Sequence, residues 1–188
     1  PVMPGTLSGT QIDVNLDFTD VYNQAGSNNF GQSVGMSRFT TRFAALFEND
    51  DGTPWQARHG MDADTYQATF DAMLSQGFRL TSVAGYSEGR DARFNAVWIK
   101  RDGPAFQARH NLTSQQYQAT FDDLVARSFR PTTVSGYAIN GEARFAAIFE
   151  QLPGPEFEAR HNLSRAQYQQ RFVELASQGF TPLQVSAY

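Results

Sequence analysis

The protein has 188 residues, of which 40% are hydrophobic and 13% aromatic, and its formal net charge is −4. This composition excludes a disordered chain, and the charge gives no electrostatic reason to expect nucleic acid or an anionic membrane as a partner. Cysteine is absent, which excludes disulfides, thiolate nucleophiles and cysteine-based metal sites. No apolar run approaches the roughly 20 residues that a membrane span needs.

Residues 1–37 carry no repeat and predict one strand followed by a loop. Hydrophobic and polar residues alternate over 12–18, which is typical of a strand with one wet face. Residues 22–30 are rich in Asn, Gly and Ser and predict a loop. Three oxygen-bearing residues of the strand suit either a calcium site or an exposed strand face: Asp13, Asn15 and Asp17.

From residue 38 to residue 188 the sequence repeats with a period of 51. Such a period indicates copies of one supersecondary unit in an array or a ring. A hydrophobic segment recurs in this register and predicts a strand covered on much of both faces: 42–48, 93–99 and 144–150. An arginine–histidine pair recurs in the same register and contains all three histidines of the protein: Arg58-His59, Arg109-His110 and Arg160-His161.

The stretch after each pair predicts a helix of about four turns. An N-cap residue opens it, apolar residues follow at i, i+4 and i+7, and a residue suited to a left-handed C-cap ends it. The predicted caps are Asp62, Thr113 and Ser164, the stripes begin at Tyr66, Tyr117 and Tyr168, and the ends are Gly77, Ser128 and Gly179. A second strand is predicted at 83–86, 134–137 and 185–188, and Asn140-Gly141 predicts a hairpin turn.

These elements predict an α+β fold in a single domain of residues 1–188, with three pseudo-symmetric helix plus β-hairpin repeats. The repeat boundaries fall near residues 54, 104 and 155. The strand that ends each hairpin follows a helix only at 93–99 and 144–150, and its third copy is the N-terminal segment 42–48, which precedes the first helix. Pairing of that copy with the C-terminal strand would close the units into a pseudo-threefold ring, which the count favours. The alternative is an open array with residues 11–19 covering one end.

The run Trp55-Gln56-Ala57-Arg58-His59, continued by Tyr66-Gln67, Phe70-Asp71, Gly85-Tyr86 and Arg93-Phe94, resembles a tandem-repeat family of secreted bacterial and fungal proteins. In the fungal polyglycine hydrolases a similar repeat region precedes a β-lactamase-like serine hydrolase domain. The resemblance covers residues 38–188 and implies a repeat module in a secreted protein.

The resemblance does not extend to catalysis. A β-lactamase-like domain needs a Ser-x-x-Lys motif, but Val97 stands three residues before Lys100, the only lysine. The sequence begins at Pro1 without a signal-like segment, so we expect a mature, processed form or an excised piece of a longer chain.

The arginine–histidine pairs have three interpretations. His59, His110 and His161 would suit zinc or copper if a closed ring brought them to one axis. Alternatively, each pair hydrogen-bonds backbone groups at a strand-to-helix corner and serves the fold, which we favour. In the third interpretation the pairs contact a ligand, with the arginines as donors: Arg58, Arg109 and Arg160.

Two sets of repeated aromatic residues are candidates for stacking on sugar rings or a peptide. Core packing is the alternative that we favour, because aromatic burial stabilises so small a unit. One set opens the turns and the other ends the strands: Trp55, Phe106 and Phe157, and Tyr86, Tyr137 and Tyr188.

No nucleophile motif appears, and no cofactor is expected. We therefore expect a non-enzymatic, lectin-like or peptide-binding module for an extracellular polymer, either a glycan or an extended protein segment. The alternatives are a hydrolase or peptidase whose site is not visible as a motif, and a module that interacts with a protease. The sequence predicts no oligomeric state.

Overall fold

A computed structural model describes residues 41–47, 49 and 52–188. The predicted strand at 12–18, the loop at 22–30 and the candidate calcium ligands lie outside these residues. Among the described residues, none of the helices has the length and apolar character needed to cross a membrane.

The described chain is α+β, as predicted, and its elements come in repeating order. Each of the first two repeats consists of a strand, a helix and two further strands, and the third contributes a helix. The first repeat contains β1 (Trp55–Met61), α1 (Ala63–Ser75), β2 (Arg79–Glu88) and β3 (Asp91–Ile99). The second contains β4 (Phe106–Thr113), α2 (Ser114–Ala126), β5 (Arg130–Ile139) and β6 (Glu142–Glu150), and the third contains α3 (Arg165–Ser177).

Each complete repeat forms an antiparallel three-stranded sheet whose central strand is the last in sequence. The strand orders are β1-β3-β2 and β4-β6-β5. Ile99 on the central strand pairs with both Trp55 on β1 and Arg79 on β2. The central strand therefore holds the sheet together, because both outer strands depend on it for their ladder hydrogen bonds.

The prediction of a helix plus a hairpin was incomplete, because the segment with the arginine–histidine pair is a strand and not a corner. β1 and β4 pair with the central strand up to Arg58 and Arg109, after which a bulge shifts the register. The bulge uses a left-handed residue, Gly60 at φ 68° or Asn111 at φ 54°. Asn tolerates this conformation better than most residues, so backbone geometry accounts for the asparagine at position 111.

The helix boundaries confirm the sequence prediction. Thr113 accepts a hydrogen bond from the Gln116 amide, and the Gln116 side chain accepts one from the Thr113 amide, which completes a capping box. The residues two positions after the helix ends are left-handed: Gly77 at φ 81°, Ser128 at φ 66° and Gly179 at φ 87°. The hairpin turn at Asn140-Gly141 also has two positive φ angles, as its sequence predicts.

The central strand β6 is buried on both faces and belongs to two cores. Phe145 and Phe149 pack under the helix of their own repeat, in the cluster that contains Tyr117 and Leu124. Ala146 and Ile148 alternate with them and join the cluster of the preceding repeat. The continuous hydrophobic run predicted this double burial, and it locks the second repeat onto the first.

The third repeat differs from the other two. Its helix α3 has no buried residues, whereas α1 and α2 each bury two. The segments that flank it, 157–163 and 180–188, form no strands, although the equivalent segments are strands in both other repeats. Residues 41–47 also form no strand. The pairing of this segment with the C-terminal strand therefore stays a prediction.

Candidate functional site

The repeated arginines are exposed, two of them on the outer strands β1 and β4 and the third on the equivalent segment 157–163, and all three have the same local geometry. Nη1 of each arginine donates a hydrogen bond to the carbonyl of the preceding alanine. The donor–acceptor distances are 2.7 Å for Arg58, 2.8 Å for Arg109 and 2.9 Å for Arg160. This bond folds the guanidinium over the strand edge, where it covers a carbonyl that lies at the rim of the sheet.

A second acceptor fixes the guanidinium in two of the repeats. Nη2 of Arg109 donates to Oε1 of Gln107 over 3.0 Å, and Nη2 of Arg160 lies 2.5 Å from Oε2 of Glu158. These two guanidinium groups are thus preoriented on the surface. A guanidinium has five N–H donors, so each group retains donors for a carbonyl, hydroxyl or carboxylate of a ligand.

The histidines lie between successive repeats and do not come together. His110 contacts Tyr66 and Phe94 of the preceding repeat, with ring centroids 4.6 and 5.2 Å apart. His161 repeats this arrangement one repeat later, 5.0 Å from Tyr117. Among the described residues no three side chains of His, Asp or Glu are grouped to hold a metal ion.

The metal site predicted at His59, His110 and His161 therefore stays a prediction. Equivalent residues of an array lie at successive interfaces, and only a closed ring would bring them to one axis. Burial lowers the pKa of His110 and of His161. These half-buried imidazoles pack on aromatic rings at the interfaces between repeats.

The aromatic residues that open the turns differ in exposure. Phe106 packs edge-on against Phe70 of the preceding helix, and the Arg79 guanidinium lies 4.6 Å from its ring centroid. Phe157 has the same surroundings in the next repeat, with Phe121 and Arg130 as neighbours. Trp55 is 55% exposed. Trp55 is thus the most exposed member of this set.

The tyrosines that end the strands fill the space between repeats. Tyr137 is buried and lies so close to Gly85 that a Cβ atom on this glycine would overlap its ring. Tyr188 lies in the same way against Gly136 but is half-exposed, and Tyr86 is partly buried. Tyr137 therefore packs as a core residue, as the favoured interpretation expects.

Sequence reasoning missed the contact that joins neighbouring repeats. The Gly85 amide donates to Oγ of Ser135 over 3.0 Å, and the Gly136 amide donates to Oγ of Ser186 over 3.0 Å. The sequence contains a signal for this contact in Ser135-Gly136-Tyr137. Gly136 leaves room for the tyrosine of the following repeat, and Ser135 accepts a hydrogen bond from the glycine of the preceding repeat.

Two open grooves accompany these interfaces. One, of about 510 Å³, lies across equivalent segments of the three repeats, 82–84, 132–135 and 183–186. The other, of about 530 Å³, lies between the end of α2 and the segment 152–160, and it includes Phe157 and Arg160. The second groove places one candidate aromatic residue beside one candidate arginine.

A comparison with protein families identifies the repeats. A family model described as "polyglycine hydrolase-like, structural repeat" matches residues 52–101, 103–152 and 154–188. The first two matches each contain the three strands and the helix of a complete repeat, and the third ends at Tyr188, before a central strand. The resemblance seen in the sequence is confirmed, and the chain belongs to the polyglycine hydrolase-like structural repeat family.

Proposed function

We propose that the protein is a non-enzymatic binding module that holds an extracellular polymer through equivalent weak sites on successive repeats. The observation that carries this proposal is the exposed, similarly oriented arginine of each repeat, Arg58, Arg109 and Arg160. A polymer with regularly spaced acceptors could contact all three at once. Several such contacts raise the overall affinity by about 10²–10⁴ over a single one without any new type of contact.

An uncharged polymer suits this surface better than a polyanion. The net charge of the protein is −4, and Glu158 already neutralises Arg160. Backbone carbonyls of an extended protein segment, or hydroxyl groups of a glycan, meet the remaining N–H donors without charge repulsion. The family description refers to hydrolases of polyglycine, which is an extended peptide without side chains. We therefore place a glycine-rich protein segment first among the ligands and a neutral glycan second.

The proposal also covers the arrangement of the repeats and the location of the protein. The repeats are pseudo-symmetric with a period of 51 residues, the segment 42–48 pairs with the C-terminal strand, and the protein is secreted. The word "structural" in the family description favours a module that positions a ligand over one that cleaves it.

The test is binding of glycine-rich peptides and of neutral glycans, each as short and long oligomers, to wild type and to Arg→Gln variants. With one, two and three of Arg58, Arg109 and Arg160 replaced, affinity for long oligomers should fall roughly tenfold or more per site. Affinity for short oligomers should fall only in proportion to the sites lost. Arg165→Gln, an exposed arginine on α3, is the matched control and should bind as wild type.

Two results would overturn the proposal. One is equal binding of long oligomers by wild type and the triple variant, or no binding of either ligand class. The other is labelling by a serine-directed probe together with cleavage of the peptide, which would favour a hydrolase. A stable complex with a protease would instead favour the protease-interacting alternative.

A further inference from the structure

The groove that crosses the three repeats lies at the opposite edge of the sheets from the repeated arginines. It is lined by residues 82–84 of β2, residues 132–135 of β5 and the equivalent segment 183–186. In each complete sheet the central strand separates this edge from β1 or β4, the strands that carry Arg58 and Arg109. The groove is therefore a surface of its own.

The chemistry of the lining restricts what the groove can bind. Among the described residues that line it, none is charged and none is aromatic, and the polar groups are those of serine, threonine and glutamine. A charged ligand would lose water here without gaining a partner, and a sugar ring would find no aromatic side chain to stack on. The volume of about 510 Å³ suits a short stretch of an uncharged polymer.

The edge strand β5 points backbone amides away from its own sheet, and side chains of the next repeat accept from them. The Val134 amide donates to Oε1 of Gln184 over 2.9 Å, and the Gly136 amide donates to Oγ of Ser186 over 3.0 Å. The acceptor in Gln184 is an amide carbonyl, which is the same chemical group as the carbonyl of a peptide bond. The protein thus already places an amide carbonyl on this strand edge.

The edge strand β2 has the same orientation. Val83 pairs with Ala96 of the central strand in the register in which Val134 pairs with Ala147. Because amides alternate in direction along an antiparallel strand, the amides of Val83 and Gly85 point away from β3. That of Gly85 donates to a serine of the next repeat, as this orientation requires.

The Val83 amide lacks the acceptor that Val134 has. Thr133 stands in the sequence position that Gln184 occupies one repeat later, and its side chain is shorter. No side chain among the described residues accepts a hydrogen bond from the Val83 amide. Val83 lines the groove, so this amide lies where a ligand can reach it. An unpaired amide on a strand edge is a site at which an extended peptide can bind.

We propose that this groove binds an extended, uncharged peptide segment, one of whose backbone carbonyls accepts a hydrogen bond from the Val83 amide. The ligand carbonyl does at Val83 what the Gln184 side chain does at Val134. This inference deepens the proposed function, on which it rests for a polymer as ligand. It selects a peptide over a glycan and adds a contact surface on the edge opposite the arginines.

The first experiment measures the affinity of a glycine–serine peptide with blocked ends by calorimetry. Thr133→Gln should lower this affinity roughly tenfold, because the new side chain supplies the Val83 amide with an acceptor from within the protein. Thr133→Ser leaves the amide open and should bind as wild type. Ala119→Gln, which adds a glutamine to the exposed face of α2, should also bind as wild type. Circular dichroism shows that each variant folds. Equal affinity of wild type and Thr133→Gln would overturn the proposal.

The second experiment locates the bound peptide by amide hydrogen exchange, followed by nuclear magnetic resonance. Without peptide, the Val83 amide should exchange faster than the Val134 amide, to which Gln184 is bonded. Saturating peptide should slow exchange at Val83, and the same peptide with aspartate in place of serine should bind more weakly. Bound peptide that leaves exchange at Val83 unchanged would show that it lies elsewhere, and the proposal would be wrong.

The variant with Arg58, Arg109 and Arg160 all replaced by Gln separates this inference from the proposed function. At saturating peptide it should still show slow exchange at Val83. If the arginine replacements weaken binding and Thr133→Gln does not, the proposed function stands and the groove is not a binding site. If only Thr133→Gln weakens binding, the groove stands and the arginines are not the contacts. Binding of a neutral glycan without binding of the peptide would overturn the inference alone.

Discussion

Replacement of Gly85 by alanine should destabilise the protein although alanine suits the local backbone. The added Cβ atom would overlap the ring of Tyr137, which is buried and packs edge-on against Phe94 with 5.7 Å between ring centroids. Overpacking of a closed site costs about 1–3 kcal/mol. Alanine also reduces the conformational entropy of the unfolded chain, which offsets about 0.4–1 kcal/mol of the overpacking cost. We expect a net loss of about 1–2 kcal/mol, or roughly 0.5–1 M in the urea midpoint at constant slope.

Gly136→Ala is the matched control, because its Cβ would meet Tyr188 in the same way. Tyr188 is half-exposed and lies on a segment that forms no strand, so it can move aside. In dilute solution, Gly136→Ala should therefore lower the free energy of unfolding by less than about half as much as Gly85→Ala. In a protein that already carries Tyr137→Leu, Gly85→Ala should lower the free energy of unfolding only slightly. Equal losses for the two alanine variants, or an unchanged cost without the Tyr137 ring, would refute the reasoning.

Three further predictions concern stability measured by urea denaturation. Ser128→Gly should stabilise the protein by about 1 kcal/mol, because Ser128 has φ 66°, whereas Gly77→Ser should destabilise it by a similar amount. Thr113→Ala should cost about 1 kcal/mol, because it removes the acceptor for an N-terminal amide of α2. Acidification from pH 7.5 to pH 5.5 should lower stability, and His110→Gln should reduce this slope.

The sign of the pH effect follows from burial. Burial lowers the pKa of His110 in the folded state below its ordinary value of 6.5, so the unfolded chain binds the proton more readily. The stabilising contribution is present above about pH 6.5 and is lost as the pH falls toward the folded pKa. His59→Gln, at an exposed position, should change the slope less than His110→Gln. A slope that His110→Gln leaves intact would contradict this account.

Local signals predicted much of the fold. The N-cap at Thr113, the left-handed residue at Ser128 and the turn at Asn140-Gly141 were predicted because each depends on the conformational preference of a few neighbouring residues. The outer strands β1 and β4 were missed because they are short, carry charged side chains and form only where the central strand beside them supplies hydrogen-bond partners.

The candidate site was predicted less well than the fold. The repeated arginines were identified, but the hydrogen bond of Arg58 to Ala57 depends on the strand edge, which was not predicted. The metal site stays a prediction, because repetition in sequence does not determine whether equivalent residues converge or follow one another. The Gly85–Tyr137 contact joins residues of different repeats, and the recurring Gly-Tyr pair does not reveal that the tyrosine packs on the glycine of the preceding repeat.

Because β6 contributes to two cores, the repeats do not unfold independently of one another. Removal of the second repeat would strip Tyr137, Ala146 and Ile148 from the core of the first, so the first repeat has no complete core of its own. Stability in such an array is a sum of weak intrinsic terms and strong nearest-neighbour terms. Loss of structure should therefore begin at the third repeat, whose described helix α3 buries none of its residues, and progress toward the N-terminus. Hydrogen exchange should be fastest in α3 and slowest in β3 and β6.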